Sequence, residues 1–263
     1  MEIRNTLQNA IGCFRQGLHY QSIEIISQLL ELHPHSGKAW ELKGLVEDSL
    51  SWHGKSICSL ETATTLIPIS ASGQYVLAKN YLQIGKHDLA KSVFSILLQR
   101  NDIPEKLLTA IAALLGQHPD LTHLALEACR KSIQLNPETG DSWLAMAYFM
   151  GKLGYPPQHR ANVLRKAVCI DPENRHYRMA LSHLLLQSGQ IEDAYLVVKE
   201  INTSELNKIQ CPECLAKLIT IFSQAKDDPR REICHKLLKR LQPSEIRNPS
   251  NRFSARFTDS LNN

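Results

Sequence analysis

Residues 72–97 read SGQYVLAKNYLQIGKHDLAKSVFSIL, and this stretch decides the fold. On both sides of Gly85, apolar residues recur three and four positions apart, a spacing that is typical of an amphipathic helix. Gly85 tolerates the positive φ that ends a helix. A short connection of this kind joins two antiparallel helices. The stretch therefore predicts an αα-hairpin.

The same hairpin recurs along the chain at a period of about 34 residues. Pro34 and Pro68 are 34 residues apart, and each ends a similar helical phrase. The phrase returns before Pro137 and Pro172, which are 35 residues apart. A glycine series follows the same period and consists of Gly17, Gly85, Gly154 and Gly189. One hairpin cannot bury its apolar face alone, so the repetition indicates a stack of hairpins.

The repeated pattern resembles that of the tetratricopeptide repeat family, which is W-x2-L-G-x2-Y followed by Gly, Ala, an aromatic residue, Ala and Pro. The matches in the second and third repeats are Trp40, Gly44, Leu77, Tyr81, Gly85, Ala90 and Phe94. Those in the fifth and sixth repeats are Trp143, Gly154, Ala167, Pro172, Leu181, Ser182, Gly189 and Ala194. The first and fourth repeats are degenerate. The resemblance implies an all-α, right-handed solenoid of about seven antiparallel helix pairs.

The period also divides the chain into predicted repeats within one helical repeat domain at 3–242. Their ranges are 3–36, 37–70, 71–104, 105–139, 140–174, 175–204 and a degenerate terminal pair at 205–242. Residues 243–263 are predicted to form a disordered basic tail.

Composition favours helices, and the charge is local. The sequence is 43% hydrophobic but only 6% aromatic, which suits helices better than sheets. Nine Lys and Arg residues and four Asp and Glu residues lie between Lys226 and Arg256, whereas the whole chain carries a net charge of +4. This segment, with its Arg252-Phe253 and Arg256-Phe257 pairs, is either a solvated helix with a tail or a contact for nucleic acid or an anionic membrane.

The sequence contains no recognisable targeting segment or membrane span. Met1–Ala10 lacks an apolar h-region, and no apolar run approaches the ~18 residues of a span. Most of the seven cysteines fall within apolar helical patterns, as free core cysteines do. We therefore expect a cytoplasmic protein with no transmembrane segment.

The stretch CPEC at residues 211–214 has the spacing both of a zinc ligand pair and of a redox dithiol. A structural zinc site needs a second, converging pair. Cys234 and His235 are adjacent on a predicted helix, however, and diverge by about 100° around its axis. A redox dithiol usually lies at a helix start, which is predicted here, beside a βαβ unit, which is not. Ordinary helix-packing cysteines are the favoured interpretation.

No other pattern predicts catalysis. The eleven histidines show no H-E-x-x-H spacing. No Ser-His-Asp set, phosphate-binding glycine loop or paired-carboxylate arrangement stands out. We therefore expect no enzymatic activity, no cofactor and no metal.

The resemblance also implies where a partner binds, because in this family the first helix of each pair lines the concave face. The family's groove positions fall here on Leu7, Ile11, Phe14, Leu45, Tyr75, Lys79, Leu82, Leu114, Leu144, Tyr148, Met179, His183 and Leu186. The Lys/Asn/Arg clamp that holds acidic chaperone tails in one subgroup has no match, since its leading positions are Leu7 and Ile11. The groove is predicted to be mainly apolar, and either a ligand or self-association would cover it.

These observations favour a non-enzymatic scaffold or adaptor that binds an apolar or amphipathic peptide segment of another protein in the groove. One alternative is an accessory or regulatory module of a multi-protein enzyme assembly. A second is an adaptor that uses its basic C-terminal segment for nucleic acid or membrane contact, although nucleic acid is not the favoured partner. A homo-oligomer is compatible with the apolar groove. The fold alone does not identify the partner.

Overall fold

The computed structural model describes residues 2–241. This part of the chain contains fifteen α-helices, a 3-10 turn at Pro119–Leu121 and no strand, which confirms the predicted all-α repeat fold. The helices are α1 (Glu2–Arg15), α2 (His19–Leu32), α3 (Gly37–Ser49), α4 (His53–Leu66), α5 (Ala71–Gln83), α6 (His87–Leu97), α7 (Glu105–Leu115), α8 (Thr122–Leu135), α9 (Gly140–Lys152), α10 (Pro157–Ile170), α11 (Arg175–Gln187), α12 (Ile191–Val198), α13 (Thr203–Leu206), α14 (Pro212–Gln224) and α15 (Asp228–Leu241). The predicted tail at 243–263 lies outside the described residues.

The chain divides into two compact units between Leu107 and Leu108, a boundary that lies inside α7. Unit 1 contains α1–α6, and unit 2 contains α8–α15. The sequence predicted one repeat domain over 3–242, with a degenerate repeat at 105–139. The division falls near the start of that degenerate repeat, within α7, which has 11 residues.

Helices within each unit pack as consecutive pairs. In unit 1 the two helices of a pair contact each other, as α1 and α2 or α3 and α4 do. The second helix also contacts the first helix of the next pair, since α2 packs on α3 and α4 packs on α5. The first helices touch one another in turn, α1 with α3 and α3 with α5. The three first helices of unit 1 are therefore neighbours.

A residue with positive φ closes most of the first helices. Four of these residues are the glycines of the sequence series, Gly17, Gly85, Gly154 and Gly189, with φ between 73° and 79°. Two further positions carry side chains, namely Ser51 with φ 60° and Lys226 with φ 56°. Ser51 lies 34 residues from both Gly17 and Gly85, so it occupies the equivalent turn of its own repeat. The turn is thus more regular than the glycine pattern alone indicated.

The close approach of α3 and α4 depends on Gly44. A Cβ atom there would lie 2.5 Å from Cγ of Leu60, which is fully buried. The hydroxyl of Ser56 donates a hydrogen bond of 2.7 Å to the Gly44 carbonyl. In the first pair, Ser22 donates in the same way to the carbonyl of Ala10, at 2.9 Å. Small residues at this repeat position let the two helices meet.

A short helix interrupts the repeat order in unit 2. α13 spans Thr203–Leu206, so the predicted repeat boundary between residues 204 and 205 falls within it. The side-chain oxygen of Asn202 accepts a hydrogen bond of 2.9 Å from the N–H of Glu205, which caps the helix. α12 is correspondingly short, with 8 residues. α12, the second helix of its pair, therefore ends early, and the separately capped α13 follows it.

Each unit has its own apolar core. Ile26 and Phe94 are fully buried in unit 1. In unit 2, Leu185 and Phe222 belong to a cluster that α9–α15 build together. These cores hold the first helices in place and determine which of their side chains remain accessible.

Candidate partner-binding surface

The predicted groove residues of unit 1 come together on three neighbouring helices. The predicted residues of α1 are spaced three and four positions apart, so they lie on one face of the helix. α1 contacts α3, and α3 contacts α5. We name this surface the first-helix face, and it consists of Leu7, Ile11 and Phe14 of α1, Leu45 and Asp48 of α3, and Tyr75 and Lys79 of α5. All seven side chains are half-buried. The surface is therefore apolar, with one acidic and one basic residue.

The two charges of the first-helix face form an ion pair. Lys79 Nζ lies 2.7 Å from Asp48 Oδ2, and the two side chains are 26% and 10% exposed. Asp48 Oδ1 is buried and has no hydrogen-bond partner among the described residues. The pairing makes the face neutral as a whole.

Tyr75 belongs partly to the face and partly to the core. Its ring lies 6.3 Å from the ring of Phe94, edge to face, and Phe94 is fully buried. Burial raises the pKa of the Tyr75 hydroxyl, and the nearby Asp48 carboxylate raises it further. The hydroxyl therefore remains protonated and can donate a hydrogen bond.

Two predicted groove residues are buried in the structure. Leu82 of α5 is 6% exposed and Met179 of α11 is 8% exposed. Met179 is part of the unit 2 core, where helices from neighbouring pairs cover it. Neither side chain offers area to a partner, and we therefore remove both from the candidate surface.

The remaining predicted groove residues lie in unit 2 and are half-buried. They are Leu114 of α7, Leu144 and Tyr148 of α9, and His183 and Leu186 of α11. Tyr148 lies with its ring 5.3 Å from that of Phe149 and with Lys152 Nζ 5.1 Å from its centroid. The same ammonium group donates a hydrogen bond of 2.6 Å to the carbonyl of Gly116. These contacts of Tyr148 are thus with residues of unit 2.

His183 is the only histidine among the predicted groove residues, and its ring is neutral. Its Nε2 atom is buried and has no hydrogen-bond partner among residues 2–241. Burial and, to a lesser extent, the positive charge of Lys217 on α14 together lower the pKa of His183 to about 4. The site therefore disfavours an imidazolium.

A cleft of about 460 Å³ among α2, α3 and α4 was not predicted from the sequence. Trp40 and Trp52 line it. A lysine three residues after each tryptophan lies over its ring, with Lys43 Nζ 5.0 Å from the Trp40 centroid and Lys55 Nζ 4.4 Å from the Trp52 centroid. The W-x-x-K spacing, which occurs at both places, was the available signal. It indicates a cleft only once the helices are known to be adjacent.

The residues considered for zinc do not converge. Among the residues described, Cys211, Cys214, Cys234 and His235 do not form a group with ligand atoms within 4.8 Å of one another. Cys234 is fully buried, and burial raises the pKa of its thiol to about 11. This thiol is therefore a core group, whereas metal ligation requires a thiolate. Separately, none of the described helices has the length and apolar character that crossing a membrane demands.

No family model and no curated protein matches this chain. Several solved structures do. The C-terminal part of a TPR repeat-containing protein from Cytophaga hutchinsonii aligns with a TM-score of 0.62 and 12% identity over 95% of this chain and 98% of that one. YrrB, described as a TPR protein with an unusual peptide-binding site, aligns with a TM-score of 0.51 and 14% identity over 70% of this chain and 90% of that one.

A third similar structure is that of Naa15/Naa10 bound to HypK-THB. It aligns with a TM-score of 0.65 and 14% identity over 100% of this chain but 40% of that chain, so the present chain spans less than half of it. At such identities the likeness concerns the fold alone. The chain thus has the tetratricopeptide-type helical repeat fold that its sequence pattern predicted.

Proposed function

We propose that the chain is a non-enzymatic scaffold or adaptor whose first-helix face in unit 1 binds an apolar or amphipathic segment of another protein. The observation that carries this proposal is the exposure of apolar side chains on three adjacent helices. Covering the exposed parts of Leu7, Ile11, Phe14, Leu45 and Tyr75 would remove further apolar area from water, at roughly 25 cal/mol per Å².

The polar groups of the face suit a segment with one or two hydrogen-bonding groups among apolar side chains. Tyr75 carries a hydroxyl that stays protonated. Lys79 is 26% exposed, and its charge is already matched by Asp48 at 2.7 Å. A strongly charged partner would gain little from a neutral face. We therefore infer an apolar or amphipathic segment and not an acidic or basic one.

The similar structures support binding in general terms. YrrB has a peptide-binding site by its description, and the Naa15/Naa10 structure contains the bound HypK-THB. Both share the helical repeat fold with this chain. The Naa15/Naa10 structure also supports the alternative proposal, in which this chain is an accessory module of a multi-protein assembly. A cytoplasmic location remains a prediction from the sequence.

Peptide selection tests the proposal directly. Random peptides displayed on phage would be selected on the full chain, and the affinity of the best peptide would be measured by fluorescence anisotropy. Truncating a central apolar residue of a binding surface typically costs about 2 kcal/mol, which is roughly 30-fold in affinity. We expect Leu45→Ala and Phe14→Ala each to weaken binding by about 10- to 30-fold. Raising the salt concentration should change the affinity less than threefold.

Matched control variants lie on other surfaces of unit 1. Ile96 and Leu89 of α6 are 56% and 46% exposed and are not part of the first-helix face. Ile96→Ala and Leu89→Ala should leave the affinity unchanged. Trp52→Ala reports on the cleft among α2, α3 and α4. Peptides that lose affinity on Trp52→Ala but not on Leu45→Ala would overturn the proposal and assign binding to the cleft.

A further inference from the structure

We propose that Cys211 and Cys214 form a thiol–disulfide exchange site at the start of α14, which reacts with small disulfides such as oxidised glutathione. The stretch at 211–214 has the C-x-x-C spacing, and its sequence context favoured ordinary packing cysteines. The structure changes this interpretation, because it places the two thiols on one helical turn. This inference does not depend on the proposed partner-binding face.

The backbone brings the two cysteines together. Cys211 is the N-cap of α14, with φ −96° and ψ 112°, and Pro212 begins the helix. The sulfur of Cys211 accepts a hydrogen bond of 3.3 Å from the backbone N–H of Cys214. The side chain of the N-cap residue is thus in direct contact with the third residue of the helix.

The contacts of Cys211 favour its thiolate. A sulfur that accepts hydrogen bonds at a helix N-terminus is stabilised as an anion by the N–H groups and the helix dipole. The hydrogen bond from the Cys214 thiol lowers the pKa of Cys211 to about 6, with the backbone N–H contributing in the same direction. Burial and the carboxylate of Glu213 oppose this shift but do not cancel it. At neutral pH the nucleophile is therefore largely ionised.

The exposure of the thiols separates this pair from the other cysteines. Cys211 and Cys214 are half-buried, so a small disulfide can reach them. Cys129 is buried, and burial raises the pKa of its thiol to about 12. Cys58 and Cys169 are exposed. The fold provides neither of these exposed thiols with a cysteine one helical turn away, since the nearest cysteines in sequence are 40 or more residues distant.

The reaction balances in two exchange steps. The Cys211 thiolate attacks one sulfur of oxidised glutathione, forms a mixed disulfide and releases one glutathione thiolate, which takes up a proton. The Cys214 thiol then loses its proton and attacks the sulfur of Cys211. The second glutathione leaves as a thiolate and is protonated in turn. Two protein thiols are oxidised to one disulfide, and one molecule of oxidised glutathione is reduced to two of glutathione.

The test uses the full chain in glutathione redox buffers, with acid quenching, alkylation and peptide mass spectrometry. We expect an intramolecular Cys211–Cys214 disulfide, whereas Cys58 and Cys169 form mixed disulfides with glutathione. In C214S the mixed disulfide should accumulate on Cys211, because the resolving thiol is missing. In C211S, Cys214 should react no faster than Cys58.

The pH dependence of alkylation provides a second readout. Cys211 should reach half of its maximal rate near pH 6. At that pH it should react about tenfold faster than Cys58, because the hydrogen bonds at the start of α14 favour the Cys211 thiolate. Equal pH profiles for Cys211 and Cys58, without an intramolecular disulfide in excess oxidised glutathione, would overturn the proposal.

Discussion

The indole nitrogen of Trp143 donates a hydrogen bond of 2.8 Å to the carbonyl oxygen of Pro137. Trp40 makes the same contact with Pro34, also at 2.8 Å, in the other unit. In each case the tryptophan lies six residues after the proline. Two landmarks of the repeat pattern are thus partners in one contact, which ties the first helix to the turn before it.

Removing the indole N–H should therefore destabilise the chain. Trp40→Phe and Trp143→Phe keep an aromatic ring but lose the donor, so each should lower the free energy of unfolding by about 1 kcal/mol. Urea unfolding followed by circular dichroism measures this change. Trp52→Phe is the matched control, since Trp52 makes no indole hydrogen bond within residues 2–241. Equal losses for Trp40→Phe and Trp52→Phe would show that the contact is not the cause.

Gly44→Ala should be costly, whereas Gly54→Ala should not. A methyl group at Gly44 would lie 2.5 Å from the buried Leu60 side chain, but at Gly54 it would meet nothing within 4 Å. Overpacking of this kind costs about 1–3 kcal/mol. Alanine at Gly54, which is also helical, should leave the unfolding free energy unchanged or raise it by less than about 1 kcal/mol. If both variants unfold at the wild-type urea concentration, α3 and α4 do not approach as closely as described.

Glycine should stabilise two of the turns. Ser51 and Lys226 adopt positive φ, a conformation that costs side-chain-bearing residues roughly 1 kcal/mol and glycine almost nothing. Ser51→Gly and Lys226→Gly should therefore each raise the unfolding free energy by up to about 1 kcal/mol. Gly85→Ala is the reverse experiment at the equivalent turn of the next repeat and should lower the unfolding free energy by a similar amount. A loss of stability in Ser51→Gly would mean that its side chain matters more than its backbone.

His183 should make stability fall as the pH is lowered from about 6.5 to about 4. Its pKa in the folded chain, about 4, lies below the ordinary value of 6.5. In this window the unfolded chain therefore takes up a proton that the folded chain does not, and unfolding is favoured by up to about 3 kcal/mol at the acid end. Above about pH 7 the group has no effect.

The measurement compares urea unfolding of the wild type with that of His183→Gln at several pH values. The variant should lose this part of the pH dependence. His123 is exposed on α8, and His123→Gln should retain it. Identical pH profiles for the wild type and His183→Gln would contradict the assignment.

The sequence alone determined the secondary structure and the repeat. Apolar spacing and the positions of Gly85 and Pro34 act within one period, because helix formation and termination depend on neighbouring residues and their φ angles. The same local rules predicted a helix start near Cys211. They did not identify the left-handed turn at Ser51, because serine carries no conformational signature of that kind.

Only the tertiary structure decided which of the predicted groove side chains are accessible. The repeat pattern gave Leu45, Leu82 and Met179 equivalent roles, yet Leu45 is half-buried, whereas helices packed around the other two exclude them from solvent. The Trp40 and Trp52 cleft likewise exists only because α2, α3 and α4 are adjacent. Exposure is set by residues far away in the chain, so a pattern within one repeat predicts the direction of a side chain but not what covers it.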